Sequence, residues 1–278
     1  MNKADTQALS PPREGAVLKA AAFGKPRQQV LLFQGATIAV LVTAWEIAGL
    51  VNPALNMFFP SIEKILAKSW QMLISGQLNI HLATTGYEVL WGFSLGAGLG
   101  ISVGIVLGST RLAGGIFEPF VLYTASIPKI IFYPLFILVL GVGVNSKIGI
   151  GVVSAFFPIA INTMAGVKEV SPAFIKAART LGANTWSLYT KVYLPVVTGP
   201  IVAGVRVGLG VSIIGTLLAE TKVAKAGLGF TAIEQYNNLR MTDMYSIILI
   251  IFAATMALNW ALGLAYSRAT RYRGKQQR

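Results

Sequence analysis

No cysteine occurs in the 278 residues, and His81 is the single histidine. These absences exclude a disulfide framework, a thiol nucleophile, a thiolate metal site and a multi-histidine metal cluster. Asp and Glu together number only 10 and are scattered, mostly near the ends of apolar runs. Clustered carboxylates for acid–base chemistry are therefore missing. Charged residues make up 12% of the chain, against about 25% in an ordinary soluble domain. The phosphate-cradling pattern GxxxxGK[ST] is absent as well. Both Gly24-Lys25 and Gly274-Lys275 lack its upstream glycine and the following hydroxyl residue, so the chain does not bind ATP through such a loop. No catalytic residue, metal or cofactor is expected.

What is present is apolar. Hydrophobic residues account for 54% of the chain and its mean hydropathy is +0.65. Charge-free runs cover 92–110, 148–167 and 244–267, each near or above the roughly 18 residues that read as a spanning helix. The expected fold class is all-α, a polytopic membrane protein. Six spans are predicted: 30–50, 82–107, 118–140, 148–167, 196–218 and 244–266. The net charge of +13 suggests nucleic acid at first sight, but the basic residues fall mainly in tails and loops between apolar runs, which is a topology signal. Fifteen Lys and Arg lie on one side (the N-terminal tail, Arg111, Lys168, Lys176, Arg179, Lys191 and the tail from Arg268) and six on the other (Lys64, Lys68, Lys147, Lys222, Lys225 and Arg240). Both termini are therefore expected in the cytoplasm. Domain boundaries follow: a cytoplasmic N-terminal tail at 1–29, the six-span body at 30–267, and a basic cytoplasmic tail at 268–278 that suits anionic lipid headgroups. The polar, basic start shows no small-residue cleavage site and is expected to stay on the chain.

One long polar interruption breaks the second half, SPAFIKAARTLGANTWSLYTKVYLP at 171–195. Ser171 suits an N-cap and Pro172 the first helical position. Phe174, Ala177, Ala178 and Leu181 recur at helical spacing. Gly182 sits where a helix ends in a left-handed residue. Asn184 or Thr185 can cap a second short helix with Trp186, Tyr189 and Tyr193 on one stripe. Pro195 then opens the next span. An amphipathic pair of this kind reads as a protruding docking element.

Within the spans, Gly92, Gly96, Gly100, Gly104 and Gly108 are spaced four apart. They leave one helix face as bare backbone for close packing in lipid. Pro128 and Pro134 interrupt the third span, which predicts a kink. Lys129 between them either lines a water-filled cavity or extends to the cytoplasmic interface. Arg206, near the middle of the fifth span, needs a partner or water. Glu88 is one candidate partner, and a simple staple between helices is the alternative. With Tyr133 in the third span and Asn162 in the fourth, these residues form the candidate translocation pathway. Outside the spans, Pro60-Ser61 opens an amphipathic helix with Ile62, Ile65, Leu66, Ser69 and Leu73 on one face. It is either an interfacial helix or a landing surface for an external protein.

Ala177-Ala178, Gly182 four residues later, and Leu194-Pro195 beyond eleven more resemble the cytoplasmic EAA signature of bacterial ABC importer permeases. Lys176 stands where that signature has glutamate. Other segments resemble the nitrate/sulfonate/taurine branch of these permeases: Pro134-Leu135-Phe136 through Gly141-Val142-Gly143, Phe156-Phe157-Pro158 followed by Asn162-Thr163, and Ala226-Gly227-Leu228-Gly229. The resemblance covers about 59–271. It implies a homodimer of permeases, two cytoplasmic ATPase subunits that bind the ATP, and an external (periplasmic) substrate-binding protein. Lys176, Ala177, Ala178, Gly182, Leu194 and Pro195 would be the ATPase-coupling residues. Alternating access in a bacterial inner membrane and a small anionic solute are likewise implied, with a vitamin precursor or other aromatic solute as the alternative. A secondary transporter would need more spans, repeats and midplane carboxylates. A channel or scaffold subunit would leave the cytoplasmic helix pair unexplained.

Overall fold

The computed structural model describes residues 26–51 and 57–274. Of the predicted tails at 1–29 and 268–278, residues 1–25 and the last four lie outside the described residues, and 26–29 already belong to a helix. The chain divides into two units at Phe59/Pro60. In the first unit, α1 (Pro26–Val51) carries a stretch, Gln29–Val51, long and apolar enough to cross a membrane. Trp45 there packs edge-on to Phe59, with ring centroids 4.9 Å apart.

The second unit, as described, is entirely helical. Its elements are α2 (Ile62–Ile74), α3 (Asn79–Ser109), α4 (Arg111–Ser126), a 3-10 turn (Lys129–Phe132), α5 (Tyr133–Leu140), α6 (Val144–Lys168), α7 (Pro172–Thr180), α8 (Thr185–Leu188), a π-helical turn (Tyr189–Tyr193), α9 (Leu194–Val196), α10 (Thr198–Glu220), α11 (Leu228–Asn237) and α12 (Met241–Gly274). With α1, the described residues hold five helices that could each span a membrane, or six if the bent pair α4–α5 counts as one. Helix α12 continues eight residues past the span predicted to end at 266, up to Gly274.

The core helix is α6. Ile150, Ala155 and Ile159 on it are wholly buried, and α3 and α10 flank it. The α3 face is the glycine ladder. A Cβ at Gly96 would lie 2.6 Å from the Val152 carbonyl oxygen, and one at Gly104 2.7 Å from that of Ala160. The bare glycine face of α3 thus packs directly onto α6 backbone and onto the bases of Ala155, Ile159, Thr163 and Val167. Gly151 of α6 is shared by both neighbours: a Cβ there would lie 3.1 Å from Gly92 Cα of α3, and its carbonyl accepts from Ser212 Oγ of α10 at 3.1 Å.

The third predicted span is not a kinked rod. Its halves, α4 and α5, meet at 96°. Pro128 holds Ile127 in extended backbone (φ −76°, ψ 132°), because the residue before a proline is pushed out of the helical region. Pro134, by contrast, falls in the first turn of α5, where a missing N–H breaks nothing. One proline makes the corner and the other starts the next helix.

Helix α2 packs on α12 through a reciprocal pair of serines. Ser69 Oγ donates to the Ser246 carbonyl at 3.3 Å and Ser246 Oγ to the Ile65 carbonyl at 3.0 Å. Lys68 and Asp243 add an ion pair at 3.6 Å. This docking buries Ile65, Ser69 and Met72 while Leu66 and Leu73 stay exposed, so the buried stripe is rotated from the predicted one. The connection from α11 to α12 contains Leu239 at φ 57°, closed by Arg240 N–H to the Gln235 carbonyl at 2.9 Å. That is the helix-ending geometry that favours glycine. Leu239→Gly should therefore relieve strain and, after glycine's own entropy cost, stabilise the protein by about 0.5–1 kcal/mol. The check is a rise in the thermal unfolding midpoint.

Candidate functional site

The 171–195 loop folds as two short helices around a left-handed glycine. Ser171 Oγ accepts from Ala173 N–H at 3.3 Å and opens α7. Gly182 ends it at φ +79°, with Gly182 N–H donating to the Arg179 carbonyl and Ala183 N–H to that of Ala178, both at 3.0 Å. Asn184 Oδ1 then accepts from Ser187 N–H at 2.8 Å, which makes it the cap of α8. Each bond satisfies a backbone group that a helix end would otherwise leave open.

The inner side of this pair rests on a cluster of Val167, Val170, Leu188, Tyr193 and Val197, with Ile175 and Ala178 packed against it. Tyr189 hydroxyl lies 3.1 Å from Ser109 Oγ at the end of α3, and its ring sits 5.6 Å from that of Tyr193. Burial, with Tyr189 alongside, pushes the Tyr193 phenol above its ordinary range. The outer side is different. Leu181 is 87% exposed, Trp186 75% and Phe174 62%. The predicted stripe of Phe174 and Leu181 thus faces away from the bundle, and Ile175 with Ala178 makes the seat. Trp186 also leaves the stripe predicted for it with Tyr193. The π-helical turn at Tyr189–Tyr193 inserts an extra residue in the helical register, a feature common at functional sites. Lys176, Ala177, Leu194 and Pro195 are all exposed on this end of the molecule.

The candidate pathway residues do not gather in one place. Lys129 caps the corner after α4: its ammonium donates to the carbonyls of Thr124 at 2.9 Å, Ala125 at 2.7 Å and Ile127. It also stands 4.8 Å from the centre of the Phe157 ring. The residue after Pro128 thus supplies donors to the carbonyls around the break, at the negative end of a helix, the Thr124 carbonyl also accepting from Ile127 N–H at 3.2 Å. Asn162 Nδ2 donates to the Pro158 carbonyl at 2.8 Å inside α6. Tyr133 is buried, its hydroxyl donating to the Val223 carbonyl at 3.3 Å.

Arg206 is exposed on α10 and its tip lies near Gly263 of α12. Glu88 is not its partner. Arg206 follows the loop end of α10, whereas Glu88 lies in the early turns of α3 at the far end of the bundle. The cation beside Glu88 is Lys147 of α6, at 3.8 Å. Lys147, which the predicted spans leave in a loop, belongs to the first turn of α6 and is 3% exposed.

At that far end the structure also gathers residues that sequence reasoning missed. Glu220, the last residue of α10, accepts from Thr85 Oγ1 and from Gly229 N–H, both at 2.6 Å. Thr85 Oγ1 accepts in turn from Leu228 N–H at 2.8 Å, and His81 Nδ1 from Gly227 N–H at 3.2 Å. The open N–H groups at the start of α11 are thereby tied to α3 and α10. A glutamate closing an apolar span nine residues before Gly229 was the available signal. The string Gly100-Ile101-Ser102-Val103-Gly104 has the spacing of a nucleophile elbow, but it lies inside α3, not on a strand-to-helix turn.

Residues 96–271 match the family described as "Binding-protein-dependent transport system inner membrane component". The taurine transport system permease protein TauC of Escherichia coli strain K12 is 30% identical over 255 residues, covering 90% of this chain and 92% of that one. The riboflavin transport system permease protein RibX of Chloroflexus aurantiacus is 29% identical over 193 residues, covering 69% and 72%. Among solved structures, an inward-facing form of the MetNI methionine ABC transporter superposes with a TM-score of 0.58 at 22% identity, over 69% of this chain and 94% of that one. This last likeness concerns the fold.

Proposed function

The chain belongs to the binding-protein-dependent transport system inner membrane components, and from that premise we propose how it works as the permease subunit of an ABC importer. The 171–195 loop seats a cytoplasmic ATPase, which binds the ATP. Two copies of the chain form the pathway, and an external binding protein delivers the solute. Both termini lie in the cytoplasm, on the basic side of the membrane. One observation carries this reading: a helix pair bent at a left-handed glycine, anchored by its inner face and presenting Phe174, Leu181 and Trp186 to the outside. Exposed aromatic and aliphatic side chains on a rigid support are what a protein partner buries as hot spots.

Mechanically, closure of the ATPase would push on α7 and α8. The push passes through Val167, Leu188, Tyr193 and Val197 to α6 and α10, and the pathway between the copies alternates its access. Trp186→Ala is expected to weaken ATPase binding by about 2 kcal/mol, roughly thirtyfold, measured by retention of the ATPase on the immobilised permease. Undiminished retention would remove the loop from the interface. For the solute, a small anion of the sulfonate or taurine type is the reading, supported by the likeness to TauC and by the exposed cation Arg206 on α10. The likeness to RibX supports the second reading, a vitamin-like aromatic solute. Purifying the external binding protein that stimulates this permease, and measuring which solute it binds, separates the two.

A further inference from the structure

Opposite the cytoplasmic loop, three ionisable side chains from three helices are buried together. Glu88 of α3 and Glu220 of α10 are wholly enclosed and Lys147 of α6 nearly so. Thr85 and Glu88 are one turn apart on the same face of α3, and Thr85 holds the Glu220 carboxylate. The two carboxyl groups are consequently neighbours, and Glu220 and Lys147 are the charged groups facing Glu88. The other titratable groups around them, His81 and Tyr133, are engaged with backbone. His81 accepts a hydrogen bond at Nδ1 from Gly227, and Tyr133 of α5 donates to Val223. Helix α11 contributes backbone N–H groups.

Charge counting in this enclosed space gives two carboxylates against one ammonium. Lys147 also spends a hydrogen on the Gly143 carbonyl at 2.9 Å. Its separation from Glu88, 3.8 Å, is longer than a hydrogen bond. Neither oxygen of Glu88 has a hydrogen-bond donor among the described residues. An ionised carboxylate only accepts, and a protonated one also donates. A net negative charge left unpaired in such a site is strongly unfavourable. We propose that Glu88 and Glu220 bind one proton between them, as a carboxylic acid hydrogen-bonded to a carboxylate and balanced by Lys147. With the proton bound, Glu220 keeps its ties to Thr85 and Gly229, and α11 stays closed on α3 and α10. With the proton lost, two adjacent negative charges push α3 and α10 apart and loosen α11.

The test uses the full-length permease in lipid nanodiscs. Infrared spectra at neutral pH should show the C=O stretch of a protonated carboxyl group, absent from ionised carboxylates, and Glu88→Gln should abolish it. The thermal unfolding midpoint of the wild-type chain should fall as pH is raised above neutral, because the folded state then gives up a proton that the unfolded state has already lost. In Glu88→Gln that fall should vanish. A wild-type spectrum without the band overturns the proposal and needs no variant. So does a band unchanged in Glu88→Gln, or a fall with pH that runs parallel in both proteins.

Discussion

Gly182→Val is expected to leave the ATPase attached and hydrolysing ATP while solute uptake falls roughly tenfold or more. The Cβ that valine adds meets nothing within 4 Å, so the substitution does not clash. Its effect comes from the backbone alone. At φ +79° an L-residue pays about 1–2 kcal/mol, and β-branching adds to it. The chain relieves that strain by opening the turn, which rotates α7 against α8 and misdirects the push on Tyr193 and Val197. Asparagine tolerates the left-handed region better, so Gly182→Asn should keep most of the uptake, with Gly182→Ala in between. The measurements are uptake into proteoliposomes and ATP hydrolysis in the same preparation. Normal uptake by the valine variant, with the ATPase still bound, would remove the loop from the force path.

The second large effect belongs to the glycine ladder. Gly96→Val should cost at least the upper part of the 1–3 kcal/mol typical of overpacking. The added carbon falls 2.6 Å from a backbone oxygen and 2.8 Å from Ala155 Cβ. Neither obstacle is the end of a flexible side chain, so α3 and α6 must separate, and the loss of dispersion spreads to the neighbouring rungs. Gly98→Val provides the control on the same helix, since its Cβ would meet nothing within 4 Å. The expected result is a lower melting midpoint and lower yield of folded permease for the first variant, and wild-type behaviour for the second.

Local chemistry made much of this molecule legible in the amino-acid sequence. The capping residues Ser171 and Asn184, the left-handed Gly182 and the four-residue glycine spacing each depend on the backbone within a turn or two. Geometry fixed over long range was not legible. The sharpness of the corner at Pro128 depends on Lys129 reaching back to three carbonyls, which lets two helices end apart without stranded acceptors. The partner of Glu88 depends on depth and rotation of α3 against α6. Both Arg206 and Lys147 were cations in or beside apolar runs, and only the packed bundle distinguishes them. The register shift at Trp186 comes from a π-helical turn, for which the sequence carries no distinct signature.

Motion in the bundle is constrained by the contact between α3 and α6. Each glycine of α3 rests on α6 backbone or on the base of an α6 side chain, so tilting one helix against the other forfeits contact along the full seam. The two helices travel as one strut, with α6 about 37 Å long at 1.5 Å per residue. Displacement imposed beside Val167 therefore reaches Lys147 and Glu88 undiminished. Bending falls instead to Gly141 and Gly143 after α5, where an added Cβ would meet nothing within 4 Å, since Lys129 ties the corner at Ile127-Pro128 to three carbonyls. Stiffening those glycines, and not the strut, is expected to arrest the transport cycle.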